Sequence, residues 1–440
     1  MTRTLVVADH VLAQAEADEL GPAVVTIEDG IVLSVDRLRG SRPTGAGVVD
    51  LGASVVMPGL VNAHAHAPMM LFRGVSEGHS LLTLEGWLGA IRSLEAHLTP
   101  ELLAASASVA CAEMIGSGTT FFADQYLFAE AYLPAVEASG LRSRVAYGIV
   151  ELGDDDARAV GLAAAEAFVA ASQEHPLVRG WVGPHAFFVD NQIEAIEAEV
   201  ALAHRYGVGL HTHYGTSGEE DATCRERYGR GALEMMGELG LFDVPLLLAH
   251  SNEIVVEELG LLAGSRASLV AAASVAMISG AAAPPVRQTL DAGVNVAIGT
   301  DNLCGNNNAD LFEELRTLGK LAAFAERRPN AITSRELLGM ATWRGHRALG
   351  GATEDGTLAP GAVADLIALP VSALHRGPVG AQSLHSALVY GASGFDTSHV
   401  MTGGRWLKRD GAVQTVDLAA SLEGRQRDYD TLMERVRAVA

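Results

Sequence analysis

Val55-Val56-Met57-Pro58-Gly59-Leu60-Val61-Asn62-Ala63-His64-Ala65-His66 is an apolar, β-rich run that ends in two histidines separated by one residue. In a strand, residues i and i+2 point to the same face. Both imidazoles therefore converge from one strand end, as two ligands of one metal must. Taken alone, His-x-His is also what a pair of ordinary loop histidines looks like, so the rest of the chain has to decide.

Downstream of this stretch, to about residue 351, strand-like runs alternate with Ala/Leu/Glu-rich helical stretches. Residues 55–57, 119–122, 144–150, 178–182, 208–213, 245–249, 268–272 and 294–298 read as strands. Residues 100–115, 157–172, 193–206, 231–239 and 284–292 read as helices between them. Eight strands in such alternation imply a parallel α/β sheet and, at this length, a closed (β/α)8 TIM-like barrel over residues 56–355. A doubly wound open sheet is the alternative, but no G-x-G-x-x-G follows an early strand. Outside the barrel the texture changes to short β-rich runs: 5–7, 23–27, 31–35 and 48–51 at one end, 364–369, 385–390, 399–402 and 405–408 at the other. Glu28-Asp29-Gly30 and Asp410-Gly411 mark turns among them. Residues 1–55 and 356–416 thus predict one small β-sandwich domain built from both termini, and 417–440 a charged helix on the barrel exterior.

Three later features answer the pair His64 and His66. His211-Thr212-His213 ends the fifth run, His250 follows the sixth, and Asp301 follows the last. All stand at C-terminal strand ends, the face on which α/β barrels carry their active sites. Fifteen histidines placed at random would not choose strand ends so consistently. Imidazoles plus a carboxylate suit zinc, or iron, with a position left open for water.

Composition sets the outer bounds. With 440 residues, 49% of them hydrophobic, the chain has enough apolar material for a large core. Its 31 Lys and Arg against 53 Asp and Glu give a formal net charge of -22, which repels nucleic acid and anionic membranes. Cys111, Cys224 and Cys304 are far apart with no C-x-x-C pairing, so a reducing cytoplasm is expected. The apolar run near the N-terminus is broken at Asp9 and His10, too early for a signal sequence or a membrane span.

Residues 57–68, Met-Pro-Gly-Leu-Val-Asn-Ala-His-Ala-His-Ala-Pro, resemble the first-strand signature of the amidohydrolase superfamily. Nearly the whole chain is similar to its aminohydrolase branch, which holds adenosylhomocysteine and methylthioadenosine deaminases and triazine hydrolases. Leu71-Phe72-Arg73-Gly74, the stretch from Glu113 to Thr120, Gly183-Pro184-His185, Gly299-Thr300-Asp301-Asn302, the stretch from Asn307 to Arg316 and that from Gly361 to Leu366 carry this likeness. The resemblance implies one divalent metal, zinc or iron, on His64, His66, His213 and Asp301, with His250 beside the metal's water. Asp301 would also shuttle a proton, and the metal would lower the pKa of its water toward ~7. His185 resembles a substrate-contacting histidine, although a structural hydrogen bond would explain it nearly as well. The resemblance further implies a small heterocyclic substrate and a homo-oligomer, dimer or tetramer. His211 is assigned to strand packing or to support behind a ligand.

Two departures stand out. In the branch's deaminases a Glu three residues after the fifth-strand His protonates a ring nitrogen; here Thr216 occupies that place. Glu219 or Glu220 could reach in from the loop, or both could be solvated charges. The seventh strand usually brings a His and an Asn, whereas residues 268–280 here contain neither, which predicts an apolar pocket wall. Glu85 and Trp87 on a helical segment and Cys304 near Asp301 are further candidate substrate contacts, Trp87 also suiting a core role. The reading is a hydrolase that deaminates an amino-substituted nitrogen heterocycle. Its rivals are cleavage of another bond (carbon–halide, ring amide or imine) at the same site, and a metal-retaining binding protein without turnover.

Overall fold

The computed structural model of the chain describes residues 3–352, 354–372 and 383–439. At its centre, strands Leu60–His66, Thr119–Tyr126, Arg142–Ile149, Val178–Pro184, Leu210–Tyr214, Leu246–His250, Ala267–Ala271 and Asn295–Ile298 lie side by side in chain order. Strands such as Ala267–Ala271 are buried along their whole length, as parallel strands sandwiched between a core and covering helices must be. Past Ile298 the eighth strand breaks and resumes as Asp301–Asn302, which pairs in parallel with Ala65 and His66 of the first. That pairing closes the barrel. Gly299 makes it feasible: a Cβ there would lie 2.7 Å from the backbone nitrogen of His64. The fold expectation is met.

The covering helices start where the sequence supplies caps. Thr99 accepts from the Leu102 N–H ahead of Pro100–Gly116, with Pro in the first turn. Asp310 does the same for Phe312 and Glu313 at the head of Leu311–Ala325. One continuous apolar cluster fills the space between strands and helices.

The termini form two further sheets. One is four-stranded, in the order Ile31–Arg37, Ala23–Glu28, Arg3–Ala8, Val48–Asp50; the other is six-stranded and runs from Ala412–Val413 through Arg405–Arg409, His399–Thr402, Leu366–Pro370 and Ser54–Pro58 to His10–Val11. They enclose their own small core of Val6, Val25, Ile27, Val56, Leu366 and Met401, among others.

Two sequence expectations change here. Residues 55–57 do not form the first barrel strand; Ser54–Pro58 pairs antiparallel with Leu366–Pro370 in the terminal sheet, and the barrel strand begins after it, at Leu60. The two strands are separated only by Gly59, where a Cβ would strike the Thr120 side chain at 2.2 Å, so the apolar run reads as one strand although it serves two sheets. Residues 385–390 are helical rather than extended: Leu384–Gly391 is capped by Ser383 and packs against Ser334–Met340 and Leu311–Ala325. The final helix, Leu418–Val439, lies against Pro100–Gly116. Among the described residues no single helix is long and apolar enough to cross a membrane.

Candidate metal centre and active site

Five side chains from the first, fifth, sixth and eighth strands meet at the C-terminal mouth of the barrel. Ligand atoms of His64, His213, His250 and Asp301 all lie within 4.8 Å of one another. His66 Nε2, 3.2 Å from Asp301 Oδ1 and 3.2 Å from His213 Nε2, completes the group. His64 Nε2 is likewise 3.2 Å from Asp301 Oδ1. Ligands held at ~2.1 Å around one tetrahedral ion stand ~3.4 Å apart, so these separations suit atoms that share a cation.

The backbone is bent to achieve this. His250 and Asp301 have φ of +78° and +60°, a region that costs about 1–3 kcal/mol for a residue with a side chain. His250 is the last residue of the sixth strand, and Asp301 is the first after the break in the eighth. Asn62 ties the first strand to the eighth, accepting from the Thr300 N–H at 3.0 Å and donating to Thr300 Oγ1 at 2.7 Å.

Partners behind the imidazoles fix their tautomers, as metal-bound histidines require. His66 Nδ1 donates to the Gln125 carbonyl at 2.5 Å, and His213 Nδ1 to that of His185 at 2.6 Å. His64 Nδ1 is 2.8 Å from His211 Nε2, so His211 supports a ligand from behind. The two carbonyl pairings leave the Nε2 lone pairs of His66 and His213 facing the centre. His64 Nε2 and Asp301 Oδ1 are buried and make no protein hydrogen bond.

Burial holds His213 well below the usual imidazole range and His250 down to about 3, and it lowers His64 as well. On His66 burial acts the same way, but the adjacent Asp301 carboxylate outweighs it and the pKa rises. Burial alone would raise Asp301; the facing His250, His64 and His66 reverse it, so the carboxylate is ionised. Mostly neutral imidazoles around an ionised carboxylate fit a divalent metal of the zinc or iron type.

Above this floor opens a cavity lined by apolar side chains with polar groups among them, the make-up of a small-molecule site. One wall is apolar, made by Met69, Leu81, Leu82, Leu84, Leu127, Val150 and Val189. His185, Trp87 and Thr216 also line it, with the Trp87 and His185 rings 4.9 Å apart. Asp190 binds His185 Nδ1 and accepts from the Ala186 N–H.

Two candidates lie elsewhere. Glu85 is exposed on the one-turn helix Leu84–Trp87 and does not line the cavity, because that helix turns Trp87 inward instead. Cys304 is buried behind Asn302, its thiol against Asn302 Oδ1 at 2.9 Å, and is no wall residue. The apolar wall comes from the loops after the first four strands, not from the seventh as expected; residues 267–280 are absent from the lining. Glu95, Tyr126 and Asn302 line the cavity without having been singled out from the sequence. Tyr126 donates to Glu95 Oε1 at 2.8 Å, and only the fold brings these residues together.

Residues 55–407 match the Amidohydrolase family, and the chain belongs to it. It is 36% identical to 5'-deoxyadenosine deaminase of Methanosarcina mazei over 96% of each chain. It is 34% identical to 5-methylthioadenosine/S-adenosylhomocysteine deaminase of Moorella thermoacetica, over 94% of this chain and 96% of that one. Among solved structures, an adenosine deaminase from Xanthomonas campestris with bound zinc superposes with a TM-score of 0.90, at 28% identity, covering 99% of this chain and 98% of that one.

Proposed function

We propose that the protein is a metal-dependent hydrolase that deaminates the amino group of an adenine nucleoside lacking a charged 5' substituent. The observation that carries this reading is the convergence of His64, His66, His213, His250 and Asp301 beneath a cavity with an apolar wall. The names of the relatives support an adenine nucleoside altered at the 5' position, and of the tails they name Leu81, Leu82, Leu84 and Val189 suit the deoxy and thioether ones better than the charged homocysteine tail.

His64, His66, His213 and Asp301 would hold the metal, which when bound polarises water and makes it a nucleophile near neutral pH. Asp301, ionised and at the centre, takes a proton from the attacking water and passes it to the departing amine. His250, with Nε2 4.0 Å from Asp301 Oδ2, stands beside the same point and orients the water. His185 has Nδ1 committed to Asp190, which leaves Nε2 for a polar atom of the substrate, while Trp87 packs the ring in place. The surrounding apolar side chains exclude bulk water.

The test is to reconstitute the full chain with zinc or iron and to incubate it with adenosine, 5'-deoxyadenosine and 5'-methylthioadenosine. Ammonia should appear in step with loss of the aminopurine absorbance, fastest for the two compounds with an apolar 5' group. No ammonia from any of them would exclude this reading. Thr216 supports a second one, cleavage of a bond whose leaving group departs as an anion; chloride released from 6-chloropurine riboside without ammonia from the amino compounds would favour it.

A further inference from the structure

The loop after the fifth strand carries no acid at position 216, yet an acid is present one helical turn further on. Glu220 lies in the first turn of Glu219–Tyr228, is 1% exposed, and lines the same cavity as His213, His250 and Asp301. Its Oε1 accepts from the Thr216 hydroxyl at 3.1 Å. Its Oε2 is buried and has no hydrogen-bond partner. Glu219 is engaged differently: it is half-buried, and its Oε2 accepts from the Leu84 N–H at 3.2 Å, pinning the wall segment.

We propose that Glu220, positioned by Thr216, is the catalytic acid of this site and supplies the carboxyl expected at position 216. The proposal rests on the deaminase reading and names the proton donor that reading lacked.

Burial pushes the Glu220 carboxyl up to about 7, against the pull of its own backbone N–H and of Thr216. The titratable groups around it are Glu219, Asp221 and Cys224 on its helix and Tyr214 of the fifth strand, with His185, His213, His250 and Asp301 around the cavity. The nearby cation, Arg225, is held by Asp221 and Glu258, and among the described residues no ion pair is made with Glu220. An acid with a pKa near the working pH is the kind that transfers protons efficiently.

The proton balance is complete. As water oxygen bonds to the amino-bearing carbon, Asp301 takes one water proton, Glu220 gives its proton to the ring nitrogen, and the C=N π pair moves onto that nitrogen. Asp301 then protonates the amino group, the C–N bond breaks and ammonia leaves. The new hydroxyl returns a proton to Glu220 as the carbonyl forms.

Glu220→Gln, Glu220→Asp, and the double change Thr216→Glu with Glu220→Gln would be compared with the unaltered chain, all zinc-loaded. With 5'-deoxyadenosine, Glu220→Gln should lower kcat about 100-fold or more with KM nearly unchanged. The unaltered enzyme should lose kcat as pH rises through about 7, and that limb should vanish in Glu220→Gln. The double variant should regain about tenfold of the loss, and Glu220→Asp should fall between. Infrared difference spectra, which need no substrate, should show a protonated-carboxyl band that is lost near pH 7 and is absent from Glu220→Gln.

Retention of kcat within about threefold in Glu220→Gln, or a loss with the high-pH limb unmoved and no rescue, would overturn the proposal. So would the absence of the infrared band, even with deamination established. If Glu220→Gln is misfolded by circular dichroism, Glu220→Asp and the infrared titration decide alone. If the band is present but no aminopurine yields ammonia, it is the deaminase reading that has failed, and the catalytic role falls with it.

Discussion

The floor and the rim of this cavity are built by different means. On the floor, every side chain comes from a strand end, and most have a second partner behind them: Gln125 for His66, His185 for His213, His211 for His64 and Asn302 for Asp301. The rim is assembled from loops and one-turn helices, where Trp87 faces inward while its neighbour Glu85 faces water. The difference teaches that water activation is anchored in the barrel's closure, whereas the choice of bond and leaving group depends on segments that can change without disturbing it.

The sharpest way to break that comparison is to damage the floor. Asp301→Asn should cut kcat by at least ~10³-fold with circular dichroism unchanged; an active variant would remove Asp301 from the chemistry. Removing metal with a chelator should stop turnover and lower the melting temperature, both restored on adding zinc back, since an ion that binds only the folded chain stabilises it, by ~2.7 kcal/mol at a hundred times its Kd. His211→Ala, which touches no candidate substrate atom, should weaken metal affinity by ~10–100-fold, measured by competition with a chromophoric chelator. On the rim, Trp87→Ala should raise KM about tenfold and leave kcat nearly alone. Equal effects of Trp87→Ala and His211→Ala on metal affinity would dissolve the distinction between floor and rim.

A pH experiment on the metal-free chain sharpens it further. His211, His213 and His250 have folded pKa values depressed by burial, His250 to about 3. For such bases the unfolded chain binds more protons below its own imidazole pKa, ~6.5. Stability should therefore be intact above that value and fall as pH drops from ~6.5 toward 3, read as urea midpoints at a series of pH values. Zinc should suppress the loss at the upper end of that window.

The expected barrel and the placement of the five candidate metal-site side chains at strand ends were legible because both depend on local rules. Strand and helix periodicity, and polar residues placed where strands end, survive in a linear reading. The first strand was misplaced because Val55 to His66 contains two strands with no polar break between them, one for each sheet. Residues 385–390 misled for a related reason, since β-prone residues there are held helical by the Ser383 cap and by packing. Glu95 and Tyr126 carry no motif, and their meeting across 31 positions is a tertiary event.

By itself, then, the sequence determined a chain of alternating strands and helices whose histidines and one aspartate stand at strand ends. Tertiary structure decided the rest. Only barrel closure, with the eighth strand resuming beside His64 and His66 past Gly299, brings Asp301 within 3.2 Å of both imidazoles. Only burial separates Glu220 from Glu219, two adjacent and chemically identical acids. One is tied to a wall segment; the other is desolvated against the cavity with a free oxygen, because solvent exposure and hydrogen-bond partners are properties of the packed fold.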